Sequence, residues 1–413
     1  MGRPDVRALR VGRKSSLLLL LLNGAAAGGQ AQQHDAPRGI VFGAQAIGVL
    51  TSMQPTPEGR KRSEAYLTQP VAALIARRGV LAARVTLSAE GLTLDRGELT
   101  AGAWGEGFVD RRHPHTFFHE IMVDASRAGH CGRVACRAGL FAGKGFVPFG
   151  SDDPMSRPFV AYPVNHHLAQ ILERAVAGAQ AGAGPVTIEL ALFNGDEPTD
   201  AWEWPKWSRF GDSWSARLEL VPARGLALAV SYADVTSPEA RPGSGPDHEK
   251  WHVGFRGERA MGPWAVGWLA EWARTDELDG FFRYESRLGE GAVGRGPHRL
   301  AYRYERSERP EEERQSAYRT FRPHLDNSVL GITRWTLHTV RYGHRLPWRG
   351  GAVEPFIEAT RGTIREVSGG LFNPEALYGR ATVNRISAGV KLVWAIDRHR
   401  MGRYGVHELS GTN

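Results

Sequence analysis

The sequence predicts an all-β fold: a single transmembrane antiparallel β-barrel of about 14–16 strands, with long extracellular loops and short periplasmic turns. Three observations predict it. Apolar and polar residues alternate with a period of two in many segments, most segments run to roughly the 9–11 residues of a tilted membrane strand, and long and short connections mostly alternate along the chain.

Five segments carry the alternation most clearly. Trp214, Ala216, Leu218 and Leu220 alternate with Ser213, Ser215, Arg217 and Glu219. Similar runs occupy 226–233, 251–258, 264–273 and 385–394. Successive side chains of a strand point to opposite faces, so each run has one apolar and one polar face. Weaker copies fall near 40–50, 80–90, 98–107, 116–125, 134–143, 185–194, 280–288, 298–306, 330–341 and 351–361. A strand is also expected over about 169–178, although Leu168, Ile171, Leu172, Ala175 and Val176 fit a helix period, and a short helix folded into the lumen is the alternative. Short turns are expected at 221–225, 259–263 and 342–351, and long polar links at 195–212, 235–249, 307–329 and 362–383. Trp251, Trp264, Trp268, Trp272, Tyr302, Tyr304 and Trp394 share the apolar parity, as the aromatic girdles of a membrane barrel require.

The composition agrees with a folded chain. Of 413 residues, 42% are hydrophobic and 23% charged. The N-terminus resembles a cleaved export signal: Arg3, Arg7, Arg10, Arg13 and Lys14 precede the apolar run Leu17–Leu22, with small residues near Ala31. The expected organisation is a signal over 1–31, a barrel over 32–396 and a tail over 397–413. Removing the signal takes five basic groups and Asp5 away, so the net charge falls from +8 to +4. That residual charge alternates with apolar residues rather than forming a basic patch, which argues against nucleic acid as a partner. Cys131 and Cys136 are too far apart for a disulfide in one extended strand, but a turn near Gly132 would join them; two reduced thiols are the alternative.

The polar parity supplies the candidate pore-lining residues: Arg217, Glu219, Arg256, Glu258, Glu271, Arg283, Glu285, Arg303 and Lys391. Arg287, Arg299, Glu305, Glu354 and Glu358 share it. Charged groups facing lipid at mid-bilayer cost about 2–4 kcal/mol each for Arg or Lys, so they should face water. Their mixed signs predict a hydrophilic channel without strong selectivity for one sign, or a lumen filled by paired charges. His113, His115 and His119 would share one face of an extended segment, with His166 and His167 further on. Imidazoles so placed can hold Zn²⁺ or copper, although no spacing matches a known zinc motif. The plainer reading is a polar network at the rim. Asp110, Arg111 and Arg112 read as a structural ion-pair motif that pins a turn. No cofactor is otherwise implied. No G-x-S-x-G, H-E-x-x-H, Walker loop or C-x-x-C occurs, and a rim hydrolase would have to be assembled from residues such as Ser156, His113 and Asp153.

Asp110-Arg111-Arg112-His113-Pro114-His115, followed by His119-Glu120, resembles the D-R-x-H-P-H motif of a porin-like family of Gram-negative outer-membrane barrels. Asn165-His166-His167, Phe193–Pro198 and the Ser231-Tyr232-Ala233 strand with Ser237-Pro238-Glu239 behind it are similar as well. The resemblance covers roughly 100–240. It implies a cell outer membrane location, contact with outer-membrane lipid and insertion by the barrel-assembly machinery, and it supports architecture more than solute. One departure is the C-terminus: Val390–Trp394 resembles a final strand, but a tail runs on to Asn413. The expected function is passive passage of small hydrophilic solutes or ions. A metal- or ligand-binding barrel is the alternative, and a homo-oligomer is expected only by analogy.

Overall fold

The computed structural model describes residues 39–395 except 55–60, 94–115, 152–154, 156, 165, 199–200, 237, 239–245, 313–328 and 369–379. The expected signal, the C-terminal tail, the expected strand at 98–107 and the 110–115 motif all lie outside the described residues.

The strands are β1 (Gly39–Gln54), β2 (Arg62–Arg78), β3 (Leu81–Ser88), β4 (Phe118–Cys131), β5 (Val134–Gly145), β6 (Arg174–Ala183), β7 (Val186–Phe193) and β8 (Ser213–Ala223). They continue as β9 (Leu226–Val235), β10 (His248–Met261), β11 (Trp264–Glu277), β12 (Phe282–Arg295), β13 (His298–Glu312) and β14 (Val329–His344). After Arg345, β14 resumes as Leu346–Trp348, and β15 (Gly351–Ser368) pairs with both pieces. With β16 (Thr382–Trp394), seventeen strand segments make sixteen staves. Each stave pairs antiparallel with its chain neighbour, and β16 returns to β1, Ala44 opposite Trp394 and Gln54 opposite Asn384. The barrel is therefore closed, and no backbone edge faces lipid.

Tight turns and long connections sort to opposite rims. The turns after β2, β4, β6, β8, β10, β12 and β14 span about two residues each, and glycine in the left-handed region shapes them, as at Gly262 (φ 57°) and Gly296 (φ 53°). Cys131 and Cys136 form a disulfide across the β4–β5 turn, so the turn reading holds and the paired thiols are not free. On the other rim, β13 and β15 extend further than the sequence suggested: Glu312 and Ser368 end strands that were expected to have given way to loops at 307 and 362. The ladder partner supplies the hydrogen bonds there, and charge in the local sequence does not prevent it.

Strand β2 had no counterpart in the alternation. Its sequence, RSEAYLTQPVAALIARR, changes phase in the middle. The register slips between Gln45 and Ile47 of β1, and Gln69 takes φ 51° just before Pro70. This is a β-bulge, which inverts which residues face inward. Glu90 secures it from a short helical turn, α1 (Glu90–Thr93), accepting bonds from the Gln69 amide at 2.7 Å and the Thr68 hydroxyl at 3.0 Å.

The two faces of the barrel differ as the alternation requires. Leu50, Leu218, Ile188, Ile357 and Ile386 point outward and are exposed, while Trp264, Trp394 and Trp251 mark bands toward the two rims. Arg217, Glu271, Arg303, Glu358 and Lys391 point inward and are buried. A closed barrel with an apolar exterior and a charged interior is the architecture of an outer-membrane β-barrel. No helix among the described residues is long and apolar enough to cross a membrane.

Candidate functional site

The site of interest is the lumen, and its central feature is the connection between β5 and β6. Residues 146–173 do not extend over the rim. They fold inward, and Phe146, Phe149, Phe159, Val160, Tyr162 and Ile171 are buried. Long connections in compact folds usually carry a function of their own. At its root, Val147 donates to the Ile171 carbonyl at 3.1 Å and closes the segment on itself. Met122, Phe141, Val147, Phe149, Ile171, Val176 and Phe193 form the apolar cluster that holds the root against β4–β7.

From there the segment reaches the wall on several sides. The Gly150 amide donates to Ser231 of β9 at 2.9 Å, and Arg217 of β8 donates to the Gly150 carbonyl at 3.3 Å. The Arg157 guanidinium bonds both carboxylate oxygens of Glu271 on β11, at 3.0 and 3.1 Å, and Glu290 on β12 at 3.2 Å. Ser151 bonds Glu271 as well. Arg303 of β13 donates to the Ala161 carbonyl at 2.7 Å and lies over the Phe159 ring at 4.2 Å. Glu305 accepts from the Val164 amide at 3.0 Å. Glu358 of β15 accepts from the amides of Val160 and Ala161, at 2.9 and 3.3 Å, and Gln45 of β1 donates to the Met155 carbonyl at 3.2 Å. A buried backbone group left without a partner is costly, and here the barrel wall supplies the partners that a rim loop would take from water.

Gly150 makes the sharp entry possible. Its φ is +75°, and an added Cβ would lie 1.6 Å from the Ala169 carbonyl oxygen. Gly150→Ala is therefore expected to displace the segment at its root, at a cost of about 1–3 kcal/mol from backbone strain alone. Limited proteolysis of folded protein should show new cleavage within 146–173; an unchanged digestion pattern would contradict the assignment of this glycine.

Arg217, Glu219, Arg256, Glu258, Glu271, Arg303 and Lys391 all lie on the inward parity of their strands. Most of those in contact with the segment are paired. Arg217 bonds Glu189 and Glu219, both at 3.1 Å, Arg303 bonds Glu290 at 2.6 Å, and Arg385 bonds Glu358 at 2.9 Å. Arg283 and Glu285 are a correction. The inward face of β12 carries Tyr284, Ser286, Leu288 and Glu290, all buried. Arg283, Glu285 and Arg287 lie on the opposite parity, the lipid side, at the long-connection end of the strand. The expectation failed because polarity defined the inner face there, and beyond the hydrocarbon layer the outer face is also polar.

The histidine cluster is only partly described. His119 is buried and its Nδ1 lies 2.5 Å from Glu173, which also accepts from the Thr116 amide at 2.9 Å. Lys144 bonds the Thr116 hydroxyl, and the Phe146 ring lies edge-on to His119. This is a polar network that fixes the end of the inward segment where it joins β6. His113, His115, Asp110, Arg111 and Arg112 lie outside the described residues, as do Asp153 and Ser156. His166 and His167 begin a one-turn helix, α2 (His166–Ala169), on the inward segment, and their side chains lie outside the description. That helix ends at Ala169 and β6 begins at Arg174, so the helix period does not continue through Ala175 and Val176, and the strand expected over about 169–178 starts later than expected. Among the described residues no group of three or more His, Cys, Asp or Glu is arranged to hold a metal ion.

Sequence reasoning missed the anchors Arg157 and Glu290. A signal was present. Residues 146–164 are rich in Phe, Val and Pro without alternation, which marks a connection too apolar for solvent.

No protein-family model and no curated protein matches the sequence. Solved structures similar to this chain include an anion-selective porin from Comamonas acidovorans, with 10% identity and a TM-score of 0.48 over 86% of this chain and 99% of that one. OmpT, an outer-membrane protein of Vibrio cholerae, has 10% identity and a TM-score of 0.43 over 86% and 97%. OpdK of Pseudomonas aeruginosa, solved with vanillate, has 9% identity and a TM-score of 0.39 over 85% and 98%. These likenesses are to outer-membrane proteins, and the barrel assignment itself rests on the closed hydrogen-bond ladder of this chain.

Proposed function

We propose that the chain is a passive outer-membrane channel for small hydrophilic solutes or ions, narrowed by its own segment 146–173. The observation that carries this reading is the way the segment is attached. It meets the wall through hydrogen bonds and ion pairs from β1, β8, β9, β11, β12, β13 and β15, and so narrows a lumen whose wall stays polar. Inward-facing basic and acidic groups alternate around that wall, as in Arg341 with Glu354 and Arg385 with Glu358. A constriction lined by both signs passes small polar species and discriminates weakly by charge.

The reading is tested in planar lipid bilayers with purified, refolded protein. Discrete conductance steps, with cation and anion permeabilities within a fewfold of each other, are the expected result. A correctly folded barrel that stays silent both as wild type and with the inward segment released would sink the proposal.

A further inference from the structure

We propose that the outward face at the long-connection ends of β12–β15 is a binding site for a phosphate-bearing glycolipid of the outer leaflet. Four arginines carry it. Arg287 of β12 stands directly opposite Arg306 of β13, and Arg334 of β14 stands directly opposite Arg365 of β15. Residues opposite each other in an antiparallel pair share a face with Cβ atoms about 5 Å apart, and like charges placed so repel. Two adjacent Arg–Arg pairs are therefore a feature that an anion would relieve.

The available carboxylates neutralise only part of this charge, at Arg334. Glu308 bonds Arg334 through its Oε1, at 2.5 and 3.0 Å, and also accepts from the Glu285 amide. Glu285 lies 4.0 Å from Arg287. Arg306 and Arg365 have no carboxylate partner among the described residues, and both are exposed. Arg361, two positions below Thr363 on the same face of β15, is exposed as well. The basic face is local: on β9 and β10 the outward pair at the same rim is Asp234 opposite Glu249.

Depth selects the partner. At ~3.3 Å rise per residue and ~40° tilt, Arg287 and Arg306 stand roughly 20 Å above the β12–β13 turn, and Arg334 and Arg365 roughly 35 Å above the β14–β15 turn. The two pairs bracket the far edge of an apolar band about 25 Å tall, where lipid phosphates of the outer leaflet lie. Arginine presents a planar fork that binds phosphate oxygens in pairs, and a lipid carrying two phosphates can engage both Arg–Arg pairs at once. The site lies on the outside of the barrel and is independent of the channel reading.

The test uses full-length protein purified in a non-ionic detergent, with bisphosphorylated lipid A and fully dephosphorylated lipid A as probes and native mass spectrometry as the readout. Wild type should retain the bisphosphorylated lipid and lose at least roughly tenfold in affinity for the dephosphorylated one. The double variant Arg306→Ser, Arg365→Ser should bind the bisphosphorylated lipid no better than wild type binds the dephosphorylated form, while keeping its heat-modifiable gel mobility. Equal binding of the two lipids by wild type overturns the proposal and does not depend on any variant folding. So does a folded double variant that binds as wild type does. Efficient disulfide crosslinking between copies in membranes, through cysteines placed at 306 and 365, would show that the face meets a second copy of the chain and would also overturn it.

Discussion

Replacing Arg157 by alanine is expected to enlarge the proposed channel. The guanidinium ties the tip of the inward segment to Glu271 and Glu290 on the opposite wall, and both Arg157 and Glu271 are fully enclosed. Removing one partner of a buried ion pair leaves an uncompensated charge and typically costs about 3–5 kcal/mol. The barrel staves are tied by their own ladders, so the loss falls on the docking of the segment. Single-channel recordings should show higher conductance and more rapid fluctuation than wild type, and cleavage within 146–173 should accelerate. Arg157→Lys keeps the charge but loses the fork that reaches both carboxylates, so an intermediate phenotype is expected. A conductance indistinguishable from wild type in the alanine variant would mean that the segment does not set the constriction.

The second large effect is expected on the outer face. Leu218 is 45% exposed and lies between Arg217 and Glu219, both of which point inward. Leu218→Arg would place a guanidinium in the hydrocarbon layer, at about 2–4 kcal/mol. Denaturant unfolding in lipid vesicles, followed by tryptophan fluorescence, should show the loss. The adjacent Glu219→Gln, on the water side, keeps an amide oxygen to accept from Arg217, which Glu189 also pairs, and should stay within about 1 kcal/mol of wild type. Similar costs at 218 and 219 would mean that the two faces have been assigned the wrong way round.

That pair of residues shows how much of the fold was legible in the chain. Alternation alone separates Leu218 from its charged neighbours, because side-chain direction in a strand has a period of two whatever the partner strand does. The same rule placed Arg256, Glu271, Arg303 and Lys391 in the lumen and the tryptophans of β10, β11 and β16 outside. It failed in β2, where the bulge at Gln69 inverts the phase, and in β12, where Arg283 and Glu285 lie beyond the hydrocarbon layer and polarity no longer marks the inner face.

By itself, then, the sequence determined the class of fold, the sorting of turns to one rim and the inward charge of most staves, because these depend on local periodicity and on the left-handed residues of tight turns. Tertiary structure decided which way the 146–173 connection runs, that Arg157 meets Glu271 and Glu290, and that Arg287 faces Arg306 while Arg334 faces Arg365. Those outcomes join residues from 19 (Arg287 and Arg306) to 133 (Arg157 and Glu290) positions apart, and only barrel closure and strand register bring them into contact. The connection 146–173, for which the sequence marked no loop, turns into the lumen for the same reason: its backbone finds hydrogen-bond partners on the far wall, which no local pattern encodes.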